Sequence, residues 1–244
     1  MNKNAAKIPR CADCQLEKRI CRQEDGNGPA YCPTINLSKV VNDACSEYEV
    51  AAVKDFAKNA TIQEGECYVN KGKDNPHVRY AVKPRIQETI EFANKMGYKR
   101  LGVAFCGGLS GEAKILSEIL KAQGFEVASV VCKVGRTPKE YLGIKEEQKV
   151  NPGSVEAMCS PIAQANVLNA MKTDFNIIFG LCVGHDSLVM RYSDALCTVL
   201  VAKDRVTGHN PLAAINLHKA YYKKLSEEKF KKGGSITVTV KENV

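Results

Sequence analysis

The 244-residue chain carries 35 Lys and Arg against 27 Asp and Glu, a net charge of +8, with 44% hydrophobic side chains, 18 Gly and 9 Pro. That balance provides for one substantial core and excludes disordered and fibrous classes; the modest basic excess comes without the aromatic and basic interleaving of a nucleic-acid binder. Eleven cysteines stand out: they lie below the ~8–10% of disulfide scaffolds, and an odd number prevents complete pairing within one chain.

The first residues, Met1 to Arg10, are polar and lack the apolar stretch of a secretory signal, and no window approaches the ~18 consecutive apolar residues of a membrane span. The expectation is a cytoplasmic protein, not bound to membrane or nucleic acid, whose thiols are reduced. Paired cysteines then read as metal ligands or redox groups rather than as disulfides.

Composition divides the chain into an N-terminal cysteine-rich module with a helix and connector (residues 1–80) and an α/β domain (81–244). The module opens on Cys11-x2-Cys14-x6-Cys21-x10-Cys32, four thiols in a segment with few apolar residues. A bound metal is the expected source of its order. Four thiolates suit either tetrahedral zinc or an iron–sulfur cubane. Cys32 precedes Pro33, as the last ligand does in bacterial ferredoxin motifs, and Lys18, Arg19 and Arg22 offset anionic sulfur, which favours iron–sulfur over zinc. The pattern next predicts a helix over Asn42 to Lys58, with Tyr48, Val50, Val53 and Phe56 on its apolar face. Gly65, Gly72, Asn75 and Pro76 mark a connector.

In the second region Pro84 opens a helix that Gly97 ends. Leu101 to Phe105 reads as a strand, Ala113 to Ala122 as a helix, Phe125 to Val131 as a strand, Ile162 to Met171 as a helix and Asn176 to Leu181 as a strand. Ser187 to Tyr192 (helix) and Thr198 to Ala202 (strand) follow, and Asn210-Pro211 starts the last main helix with Asn as N-cap. Ser235 to Val240 alternates like an added edge strand. Apolar strands separated by helices imply an α/β fold: an open, mainly parallel sheet with helices on both faces and right-handed crossovers.

That fold gives meaning to four cysteines too widely spaced for any short motif. Cys106, Cys132 and Cys182 follow the ends of three strands, and Cys159 stands before Ser160-Pro161 at a helix entry. In an open parallel sheet the strand C-termini share one edge, where ligand sites form, and helix N-termini point at the same rim. Gly107, Gly108 and Gly184 permit close backbone approach. The four thiols are thus the candidate ligands of a second cofactor, an iron–sulfur cluster of the [4Fe-4S] kind, with zinc as the alternative. His185, Asp186 and His209 fall on the same edge as candidate catalytic groups able to position a substrate or move protons. Lys203, Asp204, Arg205 and Asn210 lie beside them. The plainer roles are an N-cap for Asp186 and Asn210 and exposed ion pairs for Lys203, Asp204 and Arg205.

The segments Gly102-Val103-Ala104-Phe105-Cys106-Gly107-Gly108-Leu109, Met158-Cys159-Ser160-Pro161-Ile162-Ala163-Gln164-Ala165, Gly180-Leu181-Cys182-Val183-Gly184-His185-Asp186 and Lys203-Asp204-Arg205-Val206-Thr207-Gly208-His209-Asn210-Pro211 resemble a prokaryotic family of uncharacterised function labelled metal-binding. The Cys11 to Cys32 array is similar to that family's leading cysteine motif. The resemblance implies a cysteine-rich, anaerobe-associated metal or cluster protein with no established reaction. Cys45, Cys67 and Cys197 match none of its motifs.

The expected function is an iron–sulfur protein with two four-cysteine sites, acting in electron transfer or a cluster-dependent redox reaction with a redox protein or small molecule as partner; homo-oligomerisation stays open. Two alternatives stand beside it. One is a zinc-binding metal-handling or interaction module. The other is an enzyme with Cys106 or Cys182 as nucleophile at a helix N-terminus and His185 as acid and base.

Overall fold

The structure, a computed structural model, describes residues 8–72 and 79–227. It divides into two compact units, Met1–Lys83 and Pro84–Val244. The expected strand at Ser235 to Val240, together with Asn75 and Pro76 of the expected connector, lies outside the described residues.

The first unit has two short 3-10 turns, Cys11–Asp13 and Ile20–Arg22, followed by α1 (Pro33–Asn36), α2 (Ser38–Ser46) and α3 (Ala51–Glu66). A small antiparallel pair closes it, β1 (Tyr68–Val69) against β2 (Tyr80–Ala81). Gln63 and Cys67 are its buried residues among those described, so little apolar core holds this unit together. The continuous helix expected over Asn42 to Lys58 is broken. A 3-10 turn at Glu47–Glu49 ends the first segment, and Val50 turns extended (φ −67°, ψ 119°). Its carbonyl then accepts the Lys54 amide at 2.9 Å to begin α3, which runs through Gly65 to Glu66.

The second unit begins with α4 (Arg85–Lys95), which buries Thr89, Phe92 and Ala93. Gly97 ends it at φ 70°, with Gly97 N–H donating to the Asn94 carbonyl and Tyr98 N–H to that of Ala93, the paired bonds of a Schellman cap. Phe92 and Tyr98 pack on Phe175 at ring-centroid distances of 5.7 Å each. Then come β3 (Arg100–Phe105), α5 (Ser110–Ala122), β4 (Glu126–Val131), α6 (Pro161–Ala170), β5 (Phe175–Phe179), α7 (His185–Tyr192), β6 (Cys197–Val201) and α8 (Pro211–Asn216).

β3 through β6 form a parallel sheet in the order β4-β3-β5-β6, flanked by helices. β5 is buried along its whole length, as a strand with neighbours on both sides and helices above and below must be. The chain leaves β3 outward to β4 and returns to β5 on the other side of β3, so the strand order reverses between β3 and β5. That is the switch point at which such sheets bind ligands.

Two glycines set close approaches on the sheet. A Cβ at Gly102 would fall inside the Asn176 side chain and 3.1 Å from Leu168 Cδ1, so its absence lets α6 seat on β3. Gly180 takes φ 64° and faces Leu109, which ends β5 at Phe179, two residues before the expected limit. A buried cluster joins Ala104, Val130, Ile178, Leu168 and Val189, with Cys132 inside it and Cys106, Cys159 and Cys197 packed against it. α8 is shorter than the expected main helix, and Asn210 precedes it without a side-chain capping bond, although Pro211 takes the first helical position. Among the described residues no helix is long and apolar enough to cross a membrane.

Candidate thiol site at the sheet edge

The sheet rim gathers the widely spaced cysteines. Cys106 follows β3 and precedes a 3-10 turn, Gly107–Leu109. Cys132 extends the β4 ladder by one bond, its N–H donating to the Phe105 carbonyl at 2.9 Å. The Gly107 N–H donates to Cys132 Sγ at 3.3 Å. Cys132 is the strand neighbour of Cys106, one position beyond the Phe105–Val131 pair. Cys159 is brought there by the Ser160 N–H, which donates to the Cys132 carbonyl at 2.8 Å. Cys182 follows the Gly180 turn, and its carbonyl accepts the His185 and Asp186 amides at the start of α7.

Cations arrive from the segment after β6. Lys203 Nζ donates to Cys106 Sγ at 2.8 Å, and an Arg205 guanidinium N–H donates to Cys182 Sγ at 3.1 Å. Arg205 also feels the charge of Cys106 and Cys159, which ties Cys182 electrostatically to the other thiols. Lys133 contributes positive charge beside Cys159 while its own ammonium donates to the Ala157 carbonyl at 2.6 Å.

These surroundings divide the thiols. Burial pushes Cys106 up, but the Lys203 ammonium and the Gly108 amide outweigh it and hold the thiol below its ordinary value. Interaction with Cys159, together with burial and the neighbouring sulfur charges, pushes Cys132 well above the usual thiol range. The same interaction, helped by Lys133 and His185, holds Cys159 down against its own burial. The arrangement therefore shifts Cys106 and Cys159 toward thiolate and Cys132 toward thiol.

The candidate catalytic groups sit close by. His185 is half-buried at the first position of α7 and bears on Cys159 through its charge. Asp186 is the second residue of α7 rather than its N-cap; its carboxylate accepts the Gly184 and Ser187 amides at 3.0 and 2.8 Å and fixes the turn. His209 closes a loop instead of facing the sulfurs through Nδ1. That nitrogen accepts the Asp204 N–H at 3.1 Å, while His209 N–H donates to the Asp204 carbonyl at 2.8 Å, at a left-handed φ of 67°. The Asp204 carboxylate accepts the Val206 and Thr207 amides, which keep it below the usual carboxylate range. The loop is thus a closed ring that presents Lys203 and Arg205.

The cysteine partners of Lys203 and Arg205 replace the carboxylates expected for exposed ion pairs, and nothing in local sequence identifies them, because the contacts span 97 and 23 residues. Gln164 was equally silent. Wholly buried on α6, its Nε2 donates to the Phe105 carbonyl at 3.1 Å and to the Val130 carbonyl at 2.7 Å, clasping the two strand ends that carry Cys106 and Cys132.

In the first unit, Tyr31 donates its hydroxyl to the Asp13 carbonyl at 3.3 Å and Arg10 covers the Tyr31 ring at 4.6 Å. These contacts join the Cys11 and Cys14 turn to the segment ending at Cys32. Ile20, beside Cys21, packs on Gly28. Cys11 and Cys21 are exposed, Cys14 and Cys32 half-buried. Cys67 donates to the Gln63 carbonyl at 3.1 Å and is a packing residue at the end of α3; Cys45 is exposed on α2. Among the described residues no three Cys, His, Asp or Glu side chains are grouped as a metal ion would need.

A family model described as "Protein of unknown function (DUF1847)" matches residues 32–200. The chain belongs to that family. The DUF1847 match spans the four rim cysteines, whereas Cys11, Cys14, Cys21 and the Lys203 to His209 loop fall outside it. The chain is also 51% identical over 179 residues, 72% of its length, to "Uncharacterized protein MJ0455" of Methanocaldococcus jannaschii, covering 87% of that protein. No solved structure matches it.

Proposed function

We propose that the sheet rim is a soft-metal centre with Cys106, Cys132, Cys159 and Cys182 as ligands, and that an iron–sulfur cluster of the [4Fe-4S] kind bound there serves electron transfer or a cluster-dependent redox reaction. The observation that carries this reading is that Cys106, Cys132, Cys159 and Cys182 all come to the switch-point edge of the sheet, where Lys203 and Arg205 donate to the Cys106 and Cys182 sulfurs. The donor set fits: thiolate sulfur suits iron–sulfur or zinc and no hard cation. The rim also holds an unused polar group. Ser160 Oγ, next to Cys159, is buried and has no hydrogen-bond partner among the described residues.

The chain's own residues have separable tasks on this reading. Lys203, Arg205 and Lys133 offset the negative charge of the thiolates; the Gly107 amide already donates to the Cys132 sulfur, the kind of contact that tunes such centres. When bound, the cluster supplies one-electron chemistry. Loading requires the four sulfurs to close toward one another. Cys11, Cys14, Cys21 and Cys32 are proposed as a second four-thiolate site that orders a unit with almost no apolar core.

The test is anaerobic purification with iron, zinc and acid-labile sulfide measured together, on the native chain and on a Cys106→Ser, Cys182→Ser variant. We expect iron and sulfide in equal amounts, with about half of each lost in the variant, as two sites of equal size require. Zinc alone would replace this reading with a metal-handling module. A metal content untouched by the double substitution would remove the rim from the site altogether. The close Lys203–Cys106 contact supports a second reading, Cys106 as a nucleophile, which metal-free protein would reveal by stoichiometric alkylation at that thiol alone.

A further inference from the structure

Residues 133–158 leave the sheet directly after Cys132 and return to it at Cys159, and the neck of this excursion is bonded shut. Pro138 and Ala157 form an antiparallel bridge. The Lys139 N–H donates to the Glu156 carbonyl at 3.0 Å, the Met158 N–H to the Thr137 carbonyl at 2.7 Å, and the Ser160 N–H to the Cys132 carbonyl at 2.8 Å. Lys133 Nζ reaches the Ala157 carbonyl, and Lys139 pairs with the Glu156 carboxylate. Farther out, the Lys149 ammonium, its side chain only 5% exposed, pairs with Glu140 at 2.6 Å and Glu146 at 2.8 Å. The loop is therefore a closed body, and its backbone contacts bring Cys132 and Cys159, the residues at its two feet, side by side.

We infer that Cys132 and Cys159 are a dithiol–disulfide couple that staples the neck of this loop when a low-molecular-weight disulfide oxidises it. The neck contacts select this pair over Cys106 and Cys132. Those two follow in-register parallel strands (Phe105 opposite Val131), where side chains project alongside each other instead of meeting at the ~90° dihedral a disulfide needs. Exposure assigns the order of events. Cys159, partly exposed, meets the reagent; Cys132, 2% exposed, resolves the product.

The Cys159 sulfur attacks one sulfur of the reagent RSSR, forming a mixed disulfide as the S–S bond breaks and the first RS⁻ leaves. The Cys132 sulfur then attacks Cys159 Sγ, forming the internal bond and expelling the second RS⁻. The two thiol protons end on two RSH. The protein dithiol loses two electrons and RSSR gains them. This couple needs no metal, so it stands apart from the proposed cluster site although it uses two of the same sulfurs.

The experiment treats the full chain with glutathione disulfide, both as isolated and after metal removal by a chelator, blocks free thiols with N-ethylmaleimide and maps disulfides by mass spectrometry. In the metal-free sample we expect the first bond between Cys132 and Cys159. Cys132→Ser should stop the reaction at a stable glutathione adduct on Cys159, and Cys159→Ser should leave Cys132 a free thiol. A first bond between Cys132 and Cys106, or no internal disulfide in protein of unchanged circular dichroism, overturns the inference. Because the readout is thiol mapping in metal-free protein, its failure is distinct from failure to bind iron.

Discussion

At 2.8 Å from the Cys106 sulfur, the Lys203 ammonium is close enough to stabilise thiolate over thiol against the burial that opposes it. Lys203→Gln keeps a polar side chain but removes the charge, so the Cys106 pKa should rise. Once the pKa lies above the working pH, each further unit cuts the thiolate fraction about tenfold. Iodoacetamide alkylation of Cys106 in metal-free protein, followed by peptide mapping, should therefore slow by several-fold to about tenfold at pH 7.5; an unchanged rate would mean that the contact does not act on the thiol. His209 represents the opposite case. It bears the residue type of a proton carrier, but its Nδ1 and backbone are committed to closing the loop that delivers Lys203. Residue type alone could not distinguish these roles, because the distinction rests on which atom of the ring is already occupied.

At the scale of elements, two clasps set the spacing of the thiols. From α6, Gln164 bonds the Phe105 carbonyl at the end of β3 and the Val130 carbonyl one residue before the end of β4, and Gln164→Leu would leave two buried acceptors without that donor. Urea unfolding should show a loss of about 1–3 kcal/mol; an unchanged midpoint and slope would contradict the clasp. The second is Lys139–Glu156 in the loop neck, where the Lys139 ammonium and the Asn151 amide hold the Glu156 carboxyl down to about 2. A depressed carboxyl pKa stabilises the closed loop fully above the ordinary value near ~4.3 and loses that contribution as pH falls toward the folded value. Limited proteolysis within residues 133–158 should thus be faster in Glu156→Gln than in the native chain at pH 7, and the difference should shrink between about pH 4 and pH 2.

For the molecule as a whole, the parallel sheet was legible because its strands are short apolar runs separated by amphipathic helices, and the rim thiols were legible because strand ends in such a sheet share an edge. The limits of individual elements depended on tertiary facts. Gly180 ends β5 where Leu109 from another element occupies the space, and the break at Val50 divides what periodicity reads as one helix. The cations at the sulfurs were beyond sequence reasoning, since only the closed Asp204–His209 ring aims them. The strand order has a further consequence during synthesis. β3 and β4 emerge first and can pair at once, bringing Cys106 and Cys132 together, but the other edge of β3 stays unpaired until residues 175–179 have been made. A nascent chain paused in that interval exposes an apolar edge and an incomplete set of thiols, and the cations that meet the Cys106 and Cys182 sulfurs arrive only once residues 203 and 205 have been made.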